Sequence, residues 1–260
     1  MTPHFGKSLL ASRISLSALC LCLHCLNSNS QSIDSLPKST PGLRSLLIPG
    51  AMIGYGFLAL HNEELLEFDN NIKQEIWTEH AHKQIKVDNY LQYSPAMAVY
   101  GLNALGIKGK NNFRNLSMVY LLSNAMMGAT VYSIKKITRI QRPDGFGHNA
   151  FPSGHTATAF VAAELLRQEY KERSPWYGVA GYAAAINTAY LRMYNNKHWF
   201  RDLWPGAGIG ILSTRAAYWI YPSIEKKLFR DRPSNMVMMP YYQNRSIGLS
   251  LVYSFSKRKG

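Results

Sequence analysis

Five apolar stretches recur between Pro95 and Tyr221, each too short or too polar to stand alone in lipid. They are Pro95–Ile107, Leu116–Ile134, Thr156–Leu166, Trp176–Leu191 and Leu203–Tyr221, of 11 to 19 residues. An upright membrane crossing takes about 20 apolar residues, so segments of this kind call for one another. They predict a tight helical bundle, embedded in a membrane or partly sunk into one. A sixth stretch, Ser45–Leu60, is interrupted by Pro49, Gly50, Gly54 and Gly56 and is expected to be re-entrant or interfacial. Gly206, Gly208 and Gly210 in the last stretch predict close helix packing. Composition agrees: 47% of residues are hydrophobic and 17% charged, against about 25% charged in ordinary soluble domains. The expected fold is all-α, a bundle of about six core helices.

The formal charge of +14 demands a partner or an orientation. The cations are scattered and no Lys/Arg stripe interleaves with aromatics, which argues against nucleic acid and for anionic lipid. Lys7 and Arg13 precede an apolar run, Ile14 to Leu26, with Ser28-Asn29-Ser30 after it. That is the pattern of an export signal over residues 1–30, or of an uncleaved anchor. Cys20, Cys22 and Cys25 all fall inside it, so a cleaved chain would hold no cysteine. Residues 31–94 read as a linker, the short apolar stretch and a charged helical segment, Glu63–Val87. Residues 95–232 read as the helical core, and 233–260 as a tail. In the tail, apolar residues alternate from Ile247 to Phe255 with the period of a strand.

Most cationic clusters flanking the later helices lie in three short segments, Lys108–Arg114, Arg167–Arg173 and Glu225–Arg232. Short loops rich in Lys and Arg stay on the cytoplasmic side. The alternate helix ends, carrying Lys135–His155 and Arg192–Asp202, then face outward.

Three segments at those ends stand out together: Lys135-x6-Arg142-Pro143, Pro152-Ser153-Gly154-His155 and Arg192-x5-His198-x3-Asp202. Each alone has an ordinary structural explanation, as an interfacial anchor, a helix cap and a local pair. In this order, and beside apolar helix ends, they resemble the signature of the type 2 phosphatidic acid phosphatase superfamily, which shares its site with vanadium haloperoxidases. The likeness spans Lys135 to Asp202 and covers every charged position of that pattern. Leu191 stands where the family usually has Ser, and the eight residues between Pro143 and Pro152 make a short loop.

The resemblance implies a metal-independent, cofactor-free phosphatase whose active site lies at converging helix ends. His198 would be the nucleophile that forms a phosphohistidine, and His155 the acid that protonates the leaving oxygen. Lys135, Arg142, Ser153, Gly154 and Arg192 would hold the phosphate. The residue chemistry agrees. A phosphoryl group in transfer spreads negative charge over three oxygens and needs preorganised cations and N–H donors. Lys135, Arg142 and Arg192 supply three charges, the arginines in planar, bidentate form. Seven residues apart on one helix, Lys135 and Arg142 would sit about 10 Å from each other. Pro143 is expected to push Arg142 off the helix end. The helix starting near Thr156 offers free N–H groups to an anion, and Gly154 permits close approach. His198 and Asp202, four apart, are expected to be neighbours on a helix, with Asp202 fixing the imidazole tautomer.

Glu79-His80-Ala81-His82 has only two close ligands and reads as helix surface rather than a metal site. His148 lies in the loop between motifs. The expected substrate is a phosphomonoester or diphosphate on a membrane lipid, such as lipid A, phosphatidic acid, phosphatidylglycerophosphate or a polyprenyl diphosphate, with lipid A favoured. The expected location is the bacterial inner membrane with the site facing the periplasm, and no obligate protein partner is inferred. A soluble periplasmic acid phosphatase, a vanadate-dependent haloperoxidase and a non-enzymatic packing protein are the alternatives.

Overall fold

The computed structural model describes Gly42 and residues 44–80, 82–228, 236–243 and 246–253, all within one unit, Lys38–Gly260. The signal segment, its cysteines and the end of the last cationic segment lie outside the described residues. Eight α-helices follow in chain order: α1 (Arg44–Ala59), α2 (Glu63–Lys73), α3 (Asp88–Leu91), α4 (Ser94–Ala104), α5 (Phe113–Thr138), α6 (Gly154–Tyr170), α7 (Pro175–Tyr194) and α8 (Phe200–Leu228). A two-stranded antiparallel hairpin, β1 (Met236–Gln243) and β2 (Ser246–Tyr253), pairs Met236 with Tyr253 and Gln243 with Ser246. The strand period of the tail is therefore real, and its partner is the segment just before it.

Local signals set most helix starts. Asn62, Asn112, Ser153 and Ser174 each accept a hydrogen bond from a backbone N–H of the first turn they precede, satisfying a donor that would otherwise be orphaned. Pro175 follows Ser174 at the first helical position, where its missing N–H does no harm.

Three expectations need correction. The chain runs through Pro49 as continuous helix. Proline cannot bond the Ser45 carbonyl four residues back, and the Arg215 guanidinium of α8 takes that carbonyl instead. The charged segment Glu63–Val87 is helical only to Lys73, with a π-helical turn at Gln74–Thr78. Beyond it, Ile85 N donates to Asn195 Oδ1 at 2.8 Å, and Asn195 Nδ2 donates to Ile85 O at 2.7 Å. Docking on the end of α7 thus replaces helix there. Finally, α5 ends before Pro143 can act: Arg139 caps it in the left-handed conformation, φ 48°.

Helix α6 is buried along most of its length, from Thr156 to Tyr170. It packs against α4, α5, α7 and α8, while α8 also holds α1. Its Ala162, Leu165, Leu166 and Tyr170 meet Val99, Leu116, Val119, Ala217 and Tyr221 in one apolar cluster. Ala157 and Val161 meet Met127, Val131 and Ile209 in another. The glycines of α8 permit the contact. A β-carbon on Gly206 would lie 2.6 Å from Ser153 O, and one on Gly208 2.5 Å from Pro49 O. Fully buried Glu164 sits between the helices and accepts from Arg167 Nε (2.8 Å), Arg215 Nε (2.9 Å), Gln168 Nε2 (2.9 Å) and the Tyr182 hydroxyl.

The cationic segments meet at one end of this bundle. Arg173 Nε donates to Lys108 O at 2.8 Å, Lys110 N donates to Glu169 O at 3.0 Å, and Arg114 pairs with Glu225 at 3.4 Å. The three segments that carry chemistry lie at the other ends of the same helices. Among the described residues, no helix is long and apolar enough to cross a membrane.

Candidate active site

Two helix C-termini and two N-termini converge here. Lys135 lies in the last turn of α5 and Arg192 in the last turn of α7, where cations complement the negative end of the helix dipole. Ser153, Gly154 and His155 begin α6, and Asp202 lies in the first turn of α8. Ser153 N donates to Asp202 O at 3.0 Å, which ties the two N-termini together.

His198 does not share a helix with Asp202 as expected; it lies in the loop before α8. The pair forms all the same. Asp202 Oδ2 accepts from Trp199 N at 2.9 Å and lies 3.4 Å from His198 Nδ1. An acidic side chain that reaches back to the residue before its helix is half of a capping box. The same carboxylate that starts α8 thus holds the imidazole, with Nε2 left free. His198 is 2% exposed and Asp202 0%.

Their protonation follows from that burial. Asp202 is pushed up to about 7, chiefly because a buried carboxylate resists ionising; the Trp199 N–H and the cations Arg201, Lys135 and Arg142 pull the other way. His198 is held well below its ordinary value by burial and then by Lys135, Arg192, Arg142 and His155, so its imidazole is neutral. Lys135 is lowered to about 8, first by burial, with Arg142 and Arg192 adding to it and Asp202 opposing. His155 is lowered to about 4 by burial and Arg192, against Asp88, with Arg142 and Lys135 lowering it further. Lys135, Arg142, Arg192, His155 and His198 thus share one electrostatic field.

Arg142 leaves the helix, as expected, within a loop closed by Arg142 N to Gly147 O (3.1 Å) and Ala150 N to Ile140 O (2.9 Å). Its Nε donates to Asn149 Oδ1 at 2.7 Å, and the Lys135 ammonium bonds Asn149 O. Arg192 is 6% exposed, gives Nη1 to Asp88 Oδ2 at 2.5 Å and leaves Nε without a partner. Gly154 opens on space: a β-carbon there would meet only Val131 Cγ1, at 4.0 Å. Ser153 is fully buried, and its hydroxyl accepts from Thr156 N and Oγ1 at 3.4 and 2.9 Å, so it caps α6.

All eight expected residues therefore collect at one end of the bundle. Three others were not anticipated. Asp88 pairs with Arg192, Asn89 Oδ1 lies 3.0 Å from His155 Nε2, and Asn149 anchors two cations. Asp88 and Asn89 precede the signature by more than 40 residues with no spacing to it, and no sequence signal marks them. His148 is exposed. His80 and His82 each meet backbone carbonyls, His82 Nε2 that of Tyr194 at 2.9 Å. Among the described residues no group of His, Cys, Asp and Glu is arranged to hold a metal ion.

Residues 116–226 match the family model described as the PAP2 superfamily. The lipid A 1-phosphatase of Porphyromonas gingivalis is 41% identical over 177 residues, 67% of this chain. The chain spans only 39% of the length of that relative. LpxE of Aquifex aeolicus is similar in structure, with 21% identity, coverage of 59% of this chain and 93% of that one, and a TM-score of 0.43. A transmembrane PAP2-type phosphatidylglycerolphosphate phosphatase of Bacillus subtilis has 15% identity, coverage of 71% and 99%, and a TM-score of 0.44.

Proposed function

We propose that the protein is a membrane lipid phosphatase working through a phosphohistidine, a reading supported by the match of residues 116–226 to the PAP2 superfamily model. The observation that carries this reading is the meeting of a neutral His198, backed by Asp202, with His155 and three cations at one open helix N-terminus. Lys135, Arg142 and Arg192 grip the phosphate oxygens, and the first N–H groups of α6 add donors. His198 Nε2 attacks phosphorus as the bond to the lipid oxygen breaks. His155 gives its proton to that departing oxygen, and Nδ1–H of His198 stays on Asp202. Water then attacks the phosphohistidine and passes a proton to His155. The phosphorus–nitrogen bond breaks, and inorganic phosphate leaves.

The lipid is proposed to be lipid A or a phosphatidic acid-like phospholipid. The similarity to a lipid A 1-phosphatase supports the first. Membrane placement is supported by apolar side chains turned outward. On α7 alone, Trp176, Val179, Ile186 and Tyr190 are exposed along one stripe. We place the bundle in the bacterial inner membrane with its active end toward the periplasm. The catalytic core at residues 95–232 works with the preceding segment, which supplies Asp88 and Asn89.

The test is phosphate release by the purified protein from lipid A, phosphatidic acid, phosphatidylglycerophosphate, a polyprenyl diphosphate and soluble phosphoesters, alongside His198→Ala and His155→Ala. We expect turnover on a lipid, lost in both variants, and an acid-labile phosphoenzyme lost only in His198→Ala. Turnover confined to soluble esters would overturn the lipid reading. A phosphoenzyme persisting in His198→Ala would overturn the nucleophile.

A further inference from the structure

Helix α3 is four residues long, yet its first two side chains reach two different functional groups. Asp88, 1% exposed, makes the 2.5 Å ion pair with Arg192 Nη1. Asn89 Oδ1 lies 3.0 Å from His155 Nε2. As that oxygen only accepts, it requires the hydrogen on Nε2. The element is anchored: Leu91 N and Gln92 Nε2 bond Val87 O and Asn89 O at 2.9 Å, and Ile85 is stitched to Asn195 on both sides.

The surroundings of His155 show why such a pair is needed. Arg192 faces it from α7, Lys135 from α5 and Arg142 from the loop before α6; His198 faces it from the loop before α8, and Asp88 is the carboxylate that opposes them from α3. An imidazole that must carry a proton is ill placed among three cations. Asp88 offsets one of these charges, that of Arg192, by pairing with it.

We infer that Asp88 and Asn89 are positioning residues that keep His155 oriented and able to hold the proton it gives to the leaving oxygen. The inference rests on the reading of His155 as the acid. It assigns to α3 a role outside the signature: Asp88 through charge, Asn89 through a fixed hydrogen bond. In the bound state the phosphate takes the free edge of Arg192, whose Nε has no partner, while Asp88 keeps Nη1.

The two positions permit a test of opposite sign. Asp88→Asn removes a negative charge beside His155, and Asn89→Asp adds one. In full-length, histidine-labelled protein in detergent micelles, His155 is titrated by NMR, with His155→Ala to assign its signal. We expect its pKa to fall in Asp88→Asn and to rise in Asn89→Asp, each by about half a unit or more. The limb of the kcat/KM profile that belongs to His155 should move in the same directions. A role in packing alone would not produce opposite shifts. Asn89 is exposed, so Asn89→Asp decides the matter even if Asp88→Asn does not fold. An unmoved His155 titration, or shifts of the same sign, overturns the inference and leaves the phosphatase reading standing. A moved titration with an unmoved rate profile removes His155 as the acid, and the inference falls with it.

Discussion

Asp202 has two tasks that conflict in their protonation: a carboxylate must start α8 and hold His198, and it must do so fully buried. Its pKa of about 7 lies above the ordinary 3.8, so the folded state binds this proton more tightly than the unfolded chain. The resulting stabilisation is fully present below about pH 3.8 and is lost as pH rises through about 7. From about pH 5.5 to about pH 8 the native protein should lose about 2 kcal/mol on this account. Asp202→Asn should escape that loss while losing turnover. Thermal unfolding in detergent at both pH values checks it; a difference between native and variant that does not change with pH would refute the buried charge. At this scale the sequence was most legible for the charged groups Lys135, Arg142, Arg192, His155, His198 and Asp202, which the fold brings to one end of the bundle. It was silent on Asp88, Asn89 and Asn149, whose partners lie far along the chain or in an irregular loop. Ser153 was legible as a residue that starts a helix, since a hydroxyl before a helix suits a cap, and it caps α6 here.

Helices α6 and α8 set the distance between His155 and the His198–Asp202 pair, and Gly206 meets the backbone at Ser153, the residue that starts α6 beside the site. A β-carbon 2.6 Å from Ser153 O cannot be absorbed by a side chain, because the obstacle is backbone. Gly206→Ala should therefore push α8 from the start of α6, with a destabilisation of about 1–3 kcal/mol. Turnover should fall even at temperatures where the variant stays folded. Gly128→Ala on α5, where a β-carbon meets nothing within 4 Å, is the control and should be neutral or stabilising, by up to about 1 kcal/mol. Unfolding temperatures and phosphate release of the two variants, compared with the native protein, decide it; equal effects would remove the packing argument. Helix existence was legible from apolar stretches and capping residues. Helix continuity was not. Pro49 reads locally as a break, and only Arg215, far along the chain, explains why the Ser45 carbonyl can do without its usual donor. Likewise the shortening of Glu63–Val87 is imposed by Asn195, which no local pattern contains.

The bundle as a whole has a polarity that the loops announced. Segments at 108–114 and 167–173, with Glu225, meet at one end, and the cations Lys135, Arg142 and Arg192 gather at the other. Both sets are positive, so charge alone does not orient the molecule; the difference is that one set meets carbonyls and the carboxylates of Glu164 and Glu225 while the other surrounds His198. With the native cysteines replaced, a cysteine at Phe146, beside the site, should react with an impermeant reagent applied from the periplasm, and one at Glu172 should not. Both side chains are exposed, so burial would not mask either label. Equal reaction at both positions would show that the bundle does not separate two compartments. About 25 Å of helix, the 17 residues of α6, lies between the catalytic end and the cationic end. On the proposed placement a phosphate in the far leaflet stays that distance out of range, however well its headgroup fits, since no rotation of a side chain bridges it. Location then selects as strictly as shape does. The enzyme would treat two chemically identical lipids differently according to which leaflet they occupy, and its product would accumulate as a record of how many had been flipped.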